Sequence, residues 1–303
     1  MVRSGFPGPR RSGPWLILIA AALWGTTGTA RSLGPAGADP LGVGAVRIII
    51  GGTLLSLIAV ATRAGDARRL SVGPTVAAAA SVAVYQLAFF SAVATIGVAL
   101  GTIIAIGSAP IVTGLLSALR GDPPGSRWYM ATAAAVLGVA LLALPAAGPT
   151  LDLRGVLLAL TAGTGYALYA TCAKVLLRTN PPITVMAAAF AGGALLLLPV
   201  AARTDLGWLA EPRGIPVALH LGVVTTAIAY ALFGRGLALV PVTTAATLSL
   251  FEPLTATALG LVVLGERLTP LQSFGALAVL LGVAIIATGG SRPSSSASPV
   301  AGG

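Results

Sequence analysis

The sequence predicts an all-α integral membrane protein with ten transmembrane helices, arranged as two inverted repeats of five helices each. The first observation is composition: of 303 residues, 56% are apolar and only 9% are charged, and the mean hydropathy is +0.95. Soluble domains carry about 25% charged residues. The second observation is that residues 70–119 contain no Asp, Glu, Lys or Arg, a stretch too long for one membrane span and right for two. The third is an internal repeat.

The ten spans follow from the apolar runs taken in order, since a spanning helix needs about 20 predominantly apolar residues. A turn near Gly97 is expected to divide the long uncharged stretch. The spans predicted in the first half are Pro14–Ser32, Pro40–Thr62, Ser71–Thr95, Val98–Leu119 and Arg127–Ala146. Those in the second half are Gly155–Leu177, Pro182–Ala202, Gly214–Leu239, Val242–Gly265 and Pro270–Thr288. The short loops between them leave no room for a soluble domain.

The domain organisation predicted from these spans has four parts. Residues 14–146 form the first five-helix repeat and residues 155–289 form the second. Residues 1–13 and 290–303, rich in Gly, Pro, Ser and Arg, are expected to be disordered tails. The first tail and the apolar run after it also resemble a signal peptide. The repeat needs that run as a span, so we expect it to be retained.

The basic residues predict the orientation of the chain in the bilayer. With an even number of spans both termini lie on one side. Placing that side in the cytoplasm puts twelve basic residues inside and five outside, which is the bias expected for cytoplasmic loops. The inside set is Arg3, Arg10, Arg11, Arg63, Arg68, Arg69, Arg120, Arg127, Lys174, Arg178, Arg235 and Arg292; the outside set is Arg31, Arg154, Arg203, Arg213 and Arg267. We therefore predict an inner- or plasma-membrane protein with both termini cytoplasmic.

The two halves of the chain resemble each other at an offset of about 143 residues. The segment VLGVALLA, ending at Ala143, matches LLGVAIIA, ending at Ala287. The other matches at this offset are Pro110 with Pro253, Phe90 with Phe233, Trp24 with Tyr166, and Gly51 with Gly193. Because each repeat has an odd number of spans, the second copy enters the membrane from the opposite side. Such inverted repeats let one central site face each side in turn.

The ordered motifs of the chain resemble the EamA family of the drug/metabolite transporter superfamily. The first half has Leu23-Trp24-Gly25 after an apolar start and Arg47 in the second span. The second half has Glu252-Pro253, then Leu264-Gly265-Glu266-Arg267-Leu268, then a Gln272…Gly275…Gly282-Val283 stretch. The resemblance covers residues 14–289. It implies ten helices in two inverted repeats and the transport of small metabolites. The first half departs from the Gly-Glu-Arg pattern, since it has Arg120-Gly121-Asp122 instead.

Two charged residues lie inside long apolar runs, where a charge costs about 2.5 kcal/mol or more. Glu252 is expected near the middle of the ninth span, either as a carboxylate that couples protons or cations or contacts a substrate amine, or as a structural acid bonded to a neighbouring helix. Arg47, in the second span, either binds a substrate carboxylate, or extends to the outer interface, or ties helices together. Pro253 frees a backbone carbonyl one turn earlier, and Pro110 is expected to do the same.

Polar and aromatic side chains near the centres of other spans are candidates for the transport pathway. At that depth a phenol or an amide needs a partner or a cavity, although bonding between helices serves equally well. These candidates are Trp24, Tyr85, Gln86, Tyr166, Tyr169 and Tyr230.

Several classes of function are disfavoured by what the sequence lacks. A single cysteine, Cys172, and a single histidine, His220, argue against a metal centre, and there is no phosphate-binding G-x-x-x-x-G-K-[ST] loop. No cofactor and no nucleic acid partner are expected. The prediction is a secondary transporter that moves a small metabolite, such as an amino acid or a related compound, by alternating access, with export favoured. The alternatives are a membrane-embedded enzyme and a non-transporting receptor or scaffold.

Overall fold

The computed structural model describes residues 9–65, 70–143, 152–265 and 267–288, and all regular structure in these ranges is helical. We number the helices α1 (Pro9–Ser32), α2 (Pro40–Ala61), α3 (Val72–Gly97), α4 (Leu100–Leu119), α5 (Ser126–Ala143), α6 (Leu153–Leu176), α7 (Pro182–Ala201), α8 (Gly214–Leu239), α9 (Val242–Val263) and α10 (Pro270–Ala287). A short 3-10 turn, Gly207–Ala210, precedes α8.

Nine of these helices, α2 to α10, are long and apolar enough to cross a membrane, counting only the described residues. The remaining helix, α1, carries Gly, Thr and Arg in its second half and does not reach the same mean hydropathy. The structure therefore confirms an all-helical membrane protein, and the tenth span remains a prediction. Helix α1 begins at Pro9, earlier than the predicted boundary at Pro14, because proline suits the first helical turn. The last residues of the predicted fifth span, 144–146, residues 1–8 of the predicted first tail and the whole of the predicted last tail, 290–303, lie outside the described residues.

The predicted turn near Gly97 is confirmed. Gly97 has φ 82° and ψ 163°, a left-handed conformation that favours glycine, and it separates α3 from α4. Other helix ends are capped by side chains. Asp39 accepts hydrogen bonds from the amides of Leu41 and Gly42 at the start of α2, and Thr269 forms a capping box with Gln272 at the start of α10.

Helices α5 and α10 form a close pair that relates the two halves of the chain. A side chain added at Gly138 would lie 2.6 Å from the carbonyl oxygen of Gly275, and one added at Gly282 would lie 2.5 Å from that of Ala131. At the repeat offset Gly138 corresponds to Gly282 and Ala131 to Gly275, so the two contacts are equivalent. Small residues allow such close approach of membrane helices.

The two ends of the bundle are distinguished by helix α1. We call the end at which α1 begins the proximal end and the other the distal end. At the proximal end Gly13 lies against Leu239 and Val240 of the α8 terminus. At the distal end Gly34, just after α1, lies against Val217 of α8. The charge distribution predicts that the proximal end is cytoplasmic.

Candidate functional site

An aromatic cluster occupies the middle of the bundle and joins both halves of the chain. Its members are Trp24, Tyr85, Phe89, Phe90, Tyr166, Tyr169, Phe190, Tyr230 and Phe233, with neighbouring ring centroids between 4.1 Å and 6.4 Å apart. The predicted tyrosines and Trp24 are thus brought together, although they come from four different helices. Phe190 was not predicted as a site residue, because a phenylalanine in an apolar helix carries no signal of its own.

Within the cluster lies a small cavity of about 10 Å³, lined by Ile48, Val82, Tyr85, Gln86, Tyr166, Tyr169, Phe190 and Tyr230. About 10–15 Å³ of such space holds one water molecule. The lining side chains belong to α2 and α3 of the first half and to α6, α7 and α8 of the second. The site therefore lies between the two halves, and in this conformation it is closed around a water-sized space.

Two of the lining tyrosines keep their hydroxyl groups free of protein partners. Among the described residues, the hydroxyls of Tyr85 and Tyr230 make no hydrogen bond. Tyr166 and Tyr169 are instead bonded. The Ser249 hydroxyl donates to the carbonyl of Ala245, so the Tyr166 hydroxyl donates to Ser249 Oγ at 2.8 Å. The Tyr169 hydroxyl contacts the sulfur of Met186 at 2.9 Å.

Gln86 is held against helix α2 by an approach that requires glycine. Its Nε2 donates to the carbonyl of Gly44 at 3.0 Å, and the side chain is only 3% exposed. A side chain at Gly44 would lie 2.6 Å from the ring of Phe90 and 3.2 Å from Gln86 Nε2. Gly44 therefore lets α2 and α3 pack closely here, one turn before Arg47, and keeps Gln86 at the cavity wall.

Arg47 is buried within the bundle, which does not match an extension to the outer interface. Its side chain is 8% exposed, and its Nε has no hydrogen-bond partner in the part of the chain that the structure describes. A buried donor without a partner costs about 1–3 kcal/mol.

Glu252 is partly buried, and its carboxylate accepts no hydrogen bond from the described residues. Arg47 and Glu252 form no direct ion pair among the described residues, and both lie in the vicinity of Tyr85 and Tyr230.

Glu252 lies at a break in helix α9, not within a continuous helix. The first part of α9 ends at Leu248 and the second begins at Phe251. Pro253 has no N–H to donate to the carbonyl of Ser249, and that carbonyl accepts from the amide of Glu252 at 3.0 Å instead. Pro110 behaves differently from its repeat counterpart: α4 continues through it, and the Thr113 hydroxyl donates to its carbonyl.

The Trp24-Gly25 and Glu252-Pro253 motifs are in direct contact. A side chain added at Gly25 would lie 2.7 Å from the carbonyl oxygen of Glu252 and 2.7 Å from Thr255 Cβ. Gly25 thus allows α1 to lie against the backbone of α9 at its break. Trp24 points to α8, with its ring 4.9 Å from that of Tyr230, and its Nε1 has no partner. Neither motif lines the small cavity itself.

Helix α8 is irregular beside this contact. Residues His220–Ile228 form a π-helical turn, a feature that is frequent at functional sites. The Thr26 hydroxyl donates to the carbonyl of Leu23, so Nε2–H of His220 donates to Thr26 Oγ at 2.8 Å. This bond links α1 to α8.

The described residues contain no group of three or more His, Cys, Asp or Glu side chains that would hold a metal ion.

Comparison with known proteins places these motifs in a family context. The profile of the EamA-like transporter family matches the chain twice, over residues 11–144 and 153–288. The chain is 41% identical over 271 residues to the uncharacterized transporter YwfM of Bacillus subtilis, covering 89% of this chain and 92% of that protein. It is 31% identical over 274 residues to the threonine/homoserine exporter RhtA of Escherichia coli, covering 88% and 90%.

A solved crystal structure shares the fold. It aligns with a TM-score of 0.79 over 90% of this chain and 96% of its own, at 19% sequence identity. At that identity the likeness concerns the fold alone. The two matches to the family profile fit an architecture of two repeats.

Proposed function

Since the chain belongs to the EamA-like transporter family, we propose that it is a secondary transporter that carries an amino acid or a closely related compound by alternating access, with export as its direction. The observation that carries this proposal is that Tyr85 and Tyr230 line one central cavity with hydroxyl groups that have no partner among the described residues. Nε of the buried Arg47, next in the chain to the lining residue Ile48, also lacks a partner there. Native interiors rarely leave such groups unpaired. A transporter binds its ligand with groups of this kind and releases it when the helices rearrange.

The charges of the site match the two ends of an amino acid. Arg47 offers guanidinium donors of the type that binds carboxylates, and Glu252 offers an acceptor for an ammonium group. The free hydroxyls of Tyr85 and Tyr230 lie within the electrostatic reach of both charges. A zwitterion bound here would pair each charge at a depth where an isolated charge is costly. One relative is the threonine/homoserine exporter RhtA of Escherichia coli, which agrees with this substrate class.

The size of the cavity indicates the state of the protein. Pockets for small molecules typically measure some 300–1,000 Å³, and the present cavity holds about one water molecule. Binding therefore requires the helices around it to separate. Inverted repeats provide such a movement, because one half rocks against the other around a fixed central site.

A receptor or scaffold without transport is the alternative that the small cavity favours. A rigid core that excludes water would satisfy its buried polar groups with hydrogen bonds. The partnerless Nε1 of Trp24, Nε of Arg47 and carboxylate of Glu252 argue against it. Transport by the purified protein would exclude this alternative directly.

The test is a metabolite screen in membrane vesicles of both orientations, prepared from cells that produce the protein and from cells that lack it. We expect protein-dependent uptake of an amino acid into inside-out vesicles, and its loss in Arg47→Met. The matched control is Arg203→Met, which removes an exposed arginine after α7. Equal uptake by vesicles with and without the protein, across the whole screen, would contradict the proposal.

A further inference from the structure

Lys174 holds together the proximal ends of α6 and α8. Its ammonium group donates hydrogen bonds to the carbonyl oxygens of Leu237 at 2.7 Å, Ala238 at 3.1 Å and Val240 at 2.8 Å. A lysine has three donors, so all of them are satisfied. The last carbonyls of a helix lack partners within the helix, and they carry the negative end of its dipole. Lys174 is therefore a cap for α8 supplied by another helix.

The repeat places a second basic residue in the equivalent position. Phe90 and Phe233 fix the offset at 143 residues for α3 and α8, and Trp24 with Tyr166 gives 142 for α1 and α6. Lys174 then corresponds to Arg31 to within one residue. The carbonyls that Lys174 binds correspond to those of Ala94, Thr95 and Gly97, at the distal end of α3. Lys174 and Arg31 are thus basic residues at corresponding positions of the two repeats, one near each end of the bundle.

The two basic residues are in different states in this structure. The side chain of Arg31 makes no hydrogen bond to the described residues, and its guanidinium lies 5.7 Å from the ring centroid of Phe90. Phe90 lies about one to two helical turns before Gly97. The proximal site is thus occupied by Lys174, while the distal site is not occupied by Arg31.

This difference is not a general divergence of the two halves. At the α5–α10 pair, Arg127 donates to the carbonyl of Ile285 through Nε at 2.9 Å, and Gln272 donates to the carbonyl of Leu142 at 3.2 Å. Ile285 corresponds to Leu142 to within one residue, since Gly138 and Gly282 fix the offset of this helix pair at 144. Both ends of that pair are therefore closed in the same way. The difference between Lys174 and Arg31 therefore does not extend to this helix pair.

We infer that Lys174 and Arg31 are alternating latches: Lys174 closes the proximal end in the present state, and Arg31 caps the distal end of α3 when Lys174 releases α8. The inference rests on the proposed function, since only a protein that opens alternately at its two ends needs both latches. In the present state Gly13 packs on the terminus of α8 at the proximal end, and Gly155 packs on Ile96 at the distal end. Both ends of the bundle are thus closed in the present state, which comes before one latch releases the helix that it caps.

The exchange between the two latches involves no change in the protonation of Lys174 or Arg31. Lys174 gives up the three carbonyls of α8 to water as the proximal end opens. Arg31 leaves the ring of Phe90 and donates to carbonyls at the end of α3 as the distal end tightens. Hydrogen bonds that involve a charged group are the stronger ones, so we expect the loss of either latch to shift the balance between the two states by about tenfold, which corresponds to about 1.4 kcal/mol.

The test measures the distance between the proximal ends of α1 and α8 by pulsed electron paramagnetic resonance, without any need for a known substrate. Spin labels are placed at Trp15 and Arg235, both exposed, in a Cys172→Ala background. We expect Lys174→Met to increase the population with a long distance by about tenfold relative to the parent. Lys174→Arg keeps the donors and is expected to resemble the parent.

Arg31→Met provides the second half of the test and loses only the contact with Phe90 in the present state. We expect it to reduce the long-distance population. Distance distributions in both variants that equal those of the parent protein would contradict the proposed latches. If Lys174→Met fails to fold, Arg31→Met decides alone. Unchanged distances in a protein that transports amino acids would contradict the latches and leave the proposed function standing. Shifted distances in a protein that transports none of the amino acids tested would contradict the proposed substrate class and leave the alternate opening of the two ends standing.

Discussion

At the scale of single residues, Glu252 links the sequence to the proposed mechanism. A carboxylate inside a membrane protein is either protonated or paired, because an isolated charge there is costly. Glu252 lies beside the break in α9, without a hydrogen bond from the described residues and without a direct ion pair to Arg47. A change of protonation at Glu252 would therefore break no side-chain hydrogen bond within the described part of the chain.

Replacing Glu252 by Gln tests whether this residue couples protons to transport. The variant keeps the size of the side chain and cannot titrate, so we expect it to fold, bind substrate and exchange it across the membrane. Accumulation driven by a pH gradient is expected to disappear. The matched control is Glu211→Gln, which alters an exposed acid in the loop before α8. Undiminished pH-driven accumulation by Glu252→Gln would reduce the residue to a structural role.

At the scale of elements, the contact between α1 and α9 explains why glycine follows tryptophan at the start of the chain. The Cβ of an alanine at position 25 would lie 2.7 Å from the carbonyl oxygen of Glu252 and 3.0 Å from the amide nitrogen of Ala256. These are backbone atoms, so they do not move aside as a flexible side chain would. The position of Glu252 thus depends on a glycine in another helix.

Gly25→Ala is expected to destabilise the protein by about 1–3 kcal/mol, the usual cost of overpacking. Gly28→Ala is the matched control, because it lies in the same helix and an added Cβ meets nothing within 4 Å. That control is expected to be neutral or to stabilise by about 0.5–1 kcal/mol through the helix preference of alanine. Thermal unfolding in detergent compares the two. Equal melting temperatures for both variants would contradict the close approach of α1 and α9.

The elements also show which features the sequence predicts well. The spans are predictable because long apolar runs have few alternatives, and Gly97 is predictable because an uncharged stretch must turn. Arg47 and Glu252 stand out since charges are rare at such depth. Ser249, the partner of Tyr166, and the three carbonyls bound by Lys174 are not predictable. Serines and backbone carbonyls are everywhere in such a chain, and only the packing of distant helices selects these few.

At the scale of the whole molecule, the orientation in the membrane rests on the charge count alone. The order of the predicted spans assigns twelve basic residues to the proximal end and five to the distal end, and cytoplasmic loops carry such an excess. The loop of residues 204–212, between α7 and α8, lies at the distal end and is expected outside.

Labelling of single cysteines tests this orientation. In a Cys172→Ala background, a cysteine at the exposed Asp205 is expected to react with a membrane-impermeant thiol reagent added outside. A cysteine at the exposed Arg178, at the other end of the bundle, is expected to react only after the membrane is opened. The opposite pattern would invert the predicted topology and the direction of transport with it.

The central claim is that this chain alone moves an amino acid through a site between its two halves. The most direct measurement is counterflow with the purified protein in liposomes that are preloaded with the unlabelled substrate identified by the screen. A transporter that alternates between its two sides exchanges internal for external substrate, so we predict a transient accumulation of labelled substrate above its external concentration. Labelled uptake no greater than in liposomes without protein, with folded protein in the membrane, would contradict the account.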